Sequence, residues 1–304
     1  YALHLLLENT SVSENRKTGE QSPTVRFIDF DKDPSKNNRF IAVCQFKVRI
    51  LGTEHHIIPD IVLFVNGLPV VLIECKSPKV KDAIPEAIDQ MLRYSEQRGA
   101  KGEGSAPLFY FNQIVIATCR QEAKFGTITT HSEKHFYRWS DPYPRTLNDL
   151  DHGSGSPNDQ QRLVAGMMDK GNLLDLIRTF TLFSTNDKGQ TIKIVGRYQQ
   201  FRAVKLAVQR LLQGKSPRER SGIIWHTQGS GKSLTMMFMV REMYRHAALS
   251  NWKVVFVTDR TQLEGQLNET SRSIGFTVKV ANSIRKLKEL LSAQPTTRRE
   301  NRSM

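Results

Sequence analysis

The stretch Ile58-Pro-Asp60-Ile-Val-Leu-Phe-Val-Asn66-Gly67-Leu-Pro-Val-Val-Leu-Ile-Glu74-Cys75-Lys76 decides the fold of the first part of this chain. Two apolar, β-branched runs of strand length flank Asn66-Gly67, the dipeptide that tight hairpins favour because both of its residues tolerate positive φ. An antiparallel hairpin is expected, returning residue 74 to the neighbourhood of residue 60. Side chains alternate along a strand, so Glu74 and Lys76 share one face while Cys75 points the other way. Register decides whether Asp60 joins them. A plain two-residue turn pairs Asp60 with Ile73, whereas an odd-length loop or a single bulge sets Asp60 opposite Glu74 on the same face. The odd register is expected here.

Two carboxylates and an ammonium at one place suit phosphodiester chemistry. Carboxylates hold hard divalent cations, the metal polarises the phosphate and activates water, and a lysine beside the scissile group stabilises developing charge. Mg²⁺ is the natural ion for Asp60 and Glu74. On its own the pattern is common and equally describes a hairpin with ordinary surface charges. Two further observations sharpen it. Glu74 ends the apolar run Val70-Val-Leu-Ile73, where an unpaired charge is expensive. Gln90 and Tyr94 then lie four apart, on one face of the next helix.

Outward from the hairpin, the segment to about Asn38 is polar and broken, and Phe40 to Val48, Ile57 to Val65, Val70 to Glu74 and Asn112 to Thr118 read as strands. Ala83, Ile84, Ala87, Ile88, Met91 and Leu92 recur at helical spacing, giving a helix over roughly residues 82 to 98. The order strand, strand, helix, strand indicates an α/β sandwich. Gly99 to Gly104 and the Pro-, Asn- and Ser-rich stretch Asp141 to Gln160 read as loops, and Leu173 to Phe183 as helical. The polar segment Ser184 to Gln190 is the expected junction, dividing the chain into residues 1–185 and 186–304. His55 and His56 read as solvated strand-end residues.

Pro59-Asp60, Glu74-x-Lys76 and Gln90-x-x-x-Tyr94 together resemble the PD-(D/E)xK nuclease core in the form that carries a Q-x-x-x-Y motif. The wording from Asp60 to Pro78 resembles the nuclease segment of type I restriction subunits, with Cys75 where that family usually has an aliphatic residue. The resemblance implies that Asp60 and Glu74 bind metal, that Lys76 is catalytic, and that Gln90 and Tyr94 support the site or contact DNA. Glu8 is a candidate for an additional acidic ligand from an early helix, although no spacing supports it.

Beyond the junction the pattern changes to alternating units. A helix (Arg197 to Gln213), a strand (Gly222 to His226), a Gly-rich turn, a helix (Lys232 to His246), a strand (Lys253 to Thr258) and a helix near Ser283 to Leu291 imply a parallel, doubly wound sheet. Within it, Thr227-Gln-Gly229-Ser230-Gly231-Lys232-Ser233 joins a strand to a helix start, the arrangement that aims backbone N–H groups at a phosphate. Lys232 is placed to reach the β and γ phosphates of ATP, and Ser233 to ligate its Mg²⁺. His226 replaces the first Gly of the strict Walker A pattern, so the resemblance is to the loop of superfamily 2 helicases and translocases. Arg197-Tyr-Gln-Gln200-Phe-Arg-Ala203 resembles their adenine-reading glutamine motif, with Gln200 the better fit than Gln199. Val254 to Leu263 resembles motif Ia, and Asp259 and Arg260 alternatively make a structural ion pair. No Walker B acidic pair follows Ser233, so nucleotide binding without turnover is expected of these residues.

The chain has 304 residues, 38% of them hydrophobic and 24% charged, which excludes a disordered or fibrous class. Its 44 Lys and Arg against 30 Asp and Glu leave a formal charge of +14, suited to a polyanion. Cys44, Cys75 and Cys119 lie far apart in apolar runs, neither a disulfide framework nor a zinc spacing, and are expected to be buried or half-buried thiols in a reducing cytoplasm. No window approaches a membrane span, and no signal pattern opens the chain. Beginning with Tyr1 and stopping soon after the motor-like motif, it reads as a fragment. The expected fold is a PD-(D/E)xK nuclease core followed by part of a RecA-like motor domain. By resemblance, the parent translocates on double-stranded DNA with ATP and cleaves it, with methylation and specificity subunits as partners. A type III-like or repair nuclease-helicase fusion, and a DNA-binding scaffold with a silent nuclease, are the alternatives.

Overall fold

The structure is a computed structural model that describes residues 2–293 except 15, 32, 100, 101, 152–154, 187, 260 and 274. It is mixed α/β and divides into two compact units, one formed by residues 1–181 and 185–198, the other by 182–184 and 199–304.

The first unit is built on a five-stranded mixed sheet of β1 (Phe40–Cys44), β2 (Ile61–Val65), β3 (Leu68–Cys75), β4 (Ile114–Cys119) and β5 (Glu122–Gly126), in that spatial order. β1, β2 and β3 run antiparallel to one another, β3 and β4 are parallel, and β5 returns antiparallel to β4. The parallel step needs a crossover. Helix α1 (Ala83–Tyr94) supplies it and packs on β3 and β4. Its apolar stripe buries Ile84, Ala87, Ile88 and Met91 against Val62, Leu72, Val115 and Ala117. Each buried Ile, Val, Leu or Met side chain among them contributes roughly 1.5–3 kcal/mol relative to exposure.

The β2–β3 hairpin has the odd register. Asn66 and Gly67 take φ of 50° and 84°, both left-handed, so the turn itself is the two-residue kind. Leu63 pairs with Val71 while Phe64 pairs with Pro69, leaving Val70 as the extra residue of a bulge. Pro69 has no N–H to give a ladder, which favours an irregularity beside it. Beyond the bulge Ile61 faces Ile73, and the register carries Asp60 to the level of Glu74.

Several expectations are corrected. The polar start contains a short helix, Ala2–Leu7, and a two-stranded ladder of Thr10–Ser11 with Thr24–Val25. Helix α2 (Asp159–Met167) begins inside the predicted 141–160 loop and packs on β5. Helix α3 (Lys170–Arg178) stops before strand β6 (Thr181–Thr185), where helix was expected to Phe183, and β7 (Thr191–Val195) follows. Cys44 and Cys75 are exposed and Cys119 is half-buried, because their positions lie toward strand ends.

The second unit contains α4 (Tyr198–Gln213, entered from the first unit at Tyr198), α5 (Lys232–Met243), α6 (Thr261–Ser273) and α7 (Ile284–Ser292). The predicted strands Gly222–His226 and Lys253–Thr258 form no ladder among the described residues. Ile223, Trp225 and Val257 are 94%, 89% and 93% exposed. A parallel strand is held by neighbours at its edges and by cover on its faces, and these segments have no ladder partner among the described residues. Among the described residues, no helix is long and apolar enough to cross a membrane.

Candidate active site and phosphate loop

Glu74 ends the buried apolar run of β3 and points toward α1, 2% exposed. Its Oε1 accepts a hydrogen bond from Gln90 Nε2 and lies 3.5 Å from Lys76 Nζ. Oε2 is buried and has no hydrogen-bond partner. Burial, reinforced by the nearby charge of Asp60 and opposed by Lys76, pushes the Glu74 carboxyl up to about 7. Asp60 is half-buried. Its Oδ2 accepts the backbone N–H of Cys75 at 2.8 Å and its Oδ1 accepts Gln45 Nε2 at 2.6 Å.

Lys76, its side chain 14% exposed, donates from Nζ to Gln90 Oε1 and lies 3.7 Å from Glu86 Oε1. The Gln90 amide is therefore a hub. Its oxygen accepts from Lys76, and its nitrogen donates to Glu74 and to Tyr94 Oη, the latter at 2.7 Å. The spacing of four that puts Gln90 and Tyr94 on one helical face is what lets one amide serve both. The structure thus brings together Asp60, Glu74, Lys76, Gln90 and Tyr94, and adds Gln45 and Glu86. Neither added residue had a sequence signal, since an isolated Gln after a strand and a Glu in a helix's first turn are both commonplace. Glu8 instead lies 3.6 Å from His4. No group of three or more His, Cys, Asp or Glu is poised to hold a metal ion among the described residues.

Two carboxylates at one level of the sheet, close enough for the charge of Asp60 to raise the Glu74 pKa, still suit a divalent cation. A cation would give the unpartnered Oε2 a partner and would offset both the burial of Glu74 and the nearby charge of Asp60, which together raise its pKa.

In the second unit, Gly229 and Gly231 take φ of 75° and 82°. Gly231 is the N-cap of α5 and provides no side-chain cap to the first turn, leaving those N–H groups for an anion. Thr227 closes the loop: its carbonyl accepts Ser230 Oγ at 2.7 Å and Lys232 Nζ at 2.8 Å. Gln200 is buried, and its Nε2 donates to the carbonyls of Ser230 and Gly231 at 3.3 and 3.1 Å. A Cβ on Gly231 would lie 2.6 Å from that nitrogen and would displace the Gln200 side chain, and the φ of 82° favours glycine there. Ser233 is half-buried in the first turn. The loop thus has the shape and donors of a phosphate cradle, with Lys232 at its mouth. Arg260, the suggested partner of Asp259, lies outside the described residues.

Comparison with known proteins agrees with both halves. Residues 2–134 match the family model of the type I restriction enzyme R protein N terminus, and residues 199–299 that of the SWI2/SNF2 ATPase. The type I restriction enzyme HindI endonuclease subunit of Haemophilus influenzae is 35% identical over 265 residues, 86% of this chain and 24% of that protein. A putative type I restriction enzyme endonuclease subunit of Methanocaldococcus jannaschii, MjaIXP, is 30% identical over 308 residues, 95% of this chain and 28% of its own length.

The chain belongs to the type I restriction enzyme R-protein family. It spans about a quarter of the length of these curated R-protein relatives. The R-protein N-terminal match contains the whole Asp60 to Tyr94 cluster, and the ATPase match contains Gln200 and the Thr227 to Ser233 loop. Each cluster therefore falls inside one of the two matched segments.

Proposed function

We propose that Asp60 and Glu74 hold a divalent cation, Mg²⁺ in the cell, and that with Lys76 they form an endonuclease site for double-stranded DNA. Bound there, the cation would polarise the scissile phosphate and lower the pKa of attacking water. The residues of this chain prepare for that. Asp60 is oriented by two N–H donors. Burial holds the Glu74 pKa at about 7, and a bound cation would favour its ionised form. Lys76 is held beside Glu74 by the Gln90 oxygen, placing a full positive charge where negative charge develops on the phosphate. Gln90 holds that lysine and is itself held by Tyr94, so the pair supports the site or contacts DNA.

The second unit is proposed to bind ATP with Mg²⁺. The backbone of Gly229, Ser230 and Gly231 would cradle the phosphates, with the Ser230 N–H and Lys232 Nζ both exchanging the Thr227 carbonyl for phosphate oxygens, and Ser233 would hold the nucleotide's metal. Gln200 braces the loop from behind. Its adenine-reading role rests on resemblance alone. In the whole protein this unit becomes part of a RecA-like motor that drives DNA translocation, and methylation and specificity subunits choose the site.

The observation that carries the nuclease reading is the buried, half-satisfied Glu74 carboxyl at the level of Asp60. Calorimetric titration of Mn²⁺ into the wild type and Glu74→Ala tests it. Binding that the variant loses supports the nuclease. Equal binding in both, or none in either, favours a DNA-binding scaffold with a silent nuclease.

A further inference from the structure

Gln45 follows directly on β1 and takes φ of 51°, a left-handed conformation that few residues with a Cβ adopt. The turn sends the Gln45 N–H to the Asp60 carbonyl at 2.8 Å and its Nε2 to Asp60 Oδ1 at 2.6 Å. From the other side, β3 gives the Cys75 N–H to Oδ2 at 2.8 Å. The two strands that flank β2 thus grip one carboxylate through both oxygens, with neutral donors. A lysine or arginine at position 45 would neutralise Asp60, and a carboxylate would repel it. An amide orients the group and leaves its charge intact. The side chain is exposed, so no core packing explains its conformation.

We infer that Gln45 is a positioning residue for Asp60: its amide fixes Oδ1 so that the carboxylate meets a cation already oriented toward Glu74. This rests on the reading of Asp60 and Glu74 as metal ligands. Partners of this kind hold a ligand's plane and lone pairs in place, and their loss typically weakens metal binding by about 10–100-fold.

Gln45→Gly is the informative variant, because glycine adopts the left-handed backbone freely while the amide is removed. Mn²⁺ is titrated at pH 8 into the whole 304-residue chain as wild type, Glu74→Ala and Gln45→Gly. Urea unfolding in EDTA is followed in parallel. The expected result is binding by the wild type, none by Glu74→Ala, and about tenfold weaker binding by Gln45→Gly, whose metal-free stability equals or exceeds that of the wild type. Wild-type affinity in Gln45→Gly beside lost binding in Glu74→Ala overturns the role of Gln45 and leaves the metal site standing. Weakened binding accompanied by lowered metal-free stability gives Gln45 a structural role and also overturns the inference. A wild type that binds no Mn²⁺, or binding unaffected by Glu74→Ala, removes the metal site and the role of Gln45 together.

Discussion

Glu74→Gln should remove most of the pH dependence of metal-free stability between about pH 4.5 and 7. The folded protein keeps the Glu74 proton up to about pH 7, whereas an unfolded chain releases it near 4.5. Between those values the folded state binds more protons, so stability is greatest on the acid side and falls as pH rises. The 2.5-unit difference, at about 1.4 kcal/mol per pH unit, amounts to roughly 3 kcal/mol. Glutamine keeps the shape and the oxygen that accepts from Gln90 Nε2, and it does not titrate. The assay is urea unfolding in EDTA at half-unit steps from pH 4.5 to 8, for both proteins. Every other group is common to the two proteins, so the difference between the two curves isolates Glu74. Parallel curves would refute the reasoning, as would a wild type that gains stability relative to the variant as pH rises.

Lys76→Met should abolish DNA cleavage by the assembled enzyme, by about 10²-fold or more in a plasmid-nicking assay, and should shift the pH profile of Mn²⁺ binding upward, because Lys76 holds the Glu74 pKa down. Lys232→Ala should weaken ATP binding at least about tenfold, measured with a fluorescent nucleotide, since a charge-assisted hydrogen bond to phosphate is lost. Lys193 is buried, donates from Nζ to the Asn112 carbonyl at 2.6 Å, and has its pKa pushed down by burial from 10.5 to about 8. Here the unfolded chain binds the extra proton, so stability should rise by roughly 3 kcal/mol as pH climbs from about 8 to 10.5. Lys193→Met should lose that rise in the same unfolding assay.

The hairpin was legible because its chemistry is local. Asn66-Gly67 demands positive φ, and alternation puts Glu74 and Lys76 on one face whatever surrounds them. That the register is odd was also foreseen, but its means, the extra Val70 beside Pro69, is a detail of pairing that patterning does not locate. β5 was missed because Glu-Ala-Lys-Phe-Gly lacks β-branched residues and is a strand through its partner β4. α2 was missed although its start is written in the sequence. Asn158 and Gln161 form a reciprocal capping box, a signal obscured by the polar, Pro-containing segment around it. The converse failure is Gly222–His226 and Lys253–Thr258, whose strand-like composition forms no ladder among the described residues, because strand propensity acts only where neighbours exist. The spacing of Gln90 and Tyr94 announced a shared face. That one amide links Glu74, Lys76 and Tyr94 required the α1 crossover to be in place.

The most direct test of the central claim is an anomalous-difference map from a crystal of the chain soaked in Mn²⁺ at pH 8. One manganese peak with carboxylate oxygens of both Asp60 and Glu74 as ligands is predicted. A peak elsewhere, or none at these two residues, would contradict the nuclease assignment.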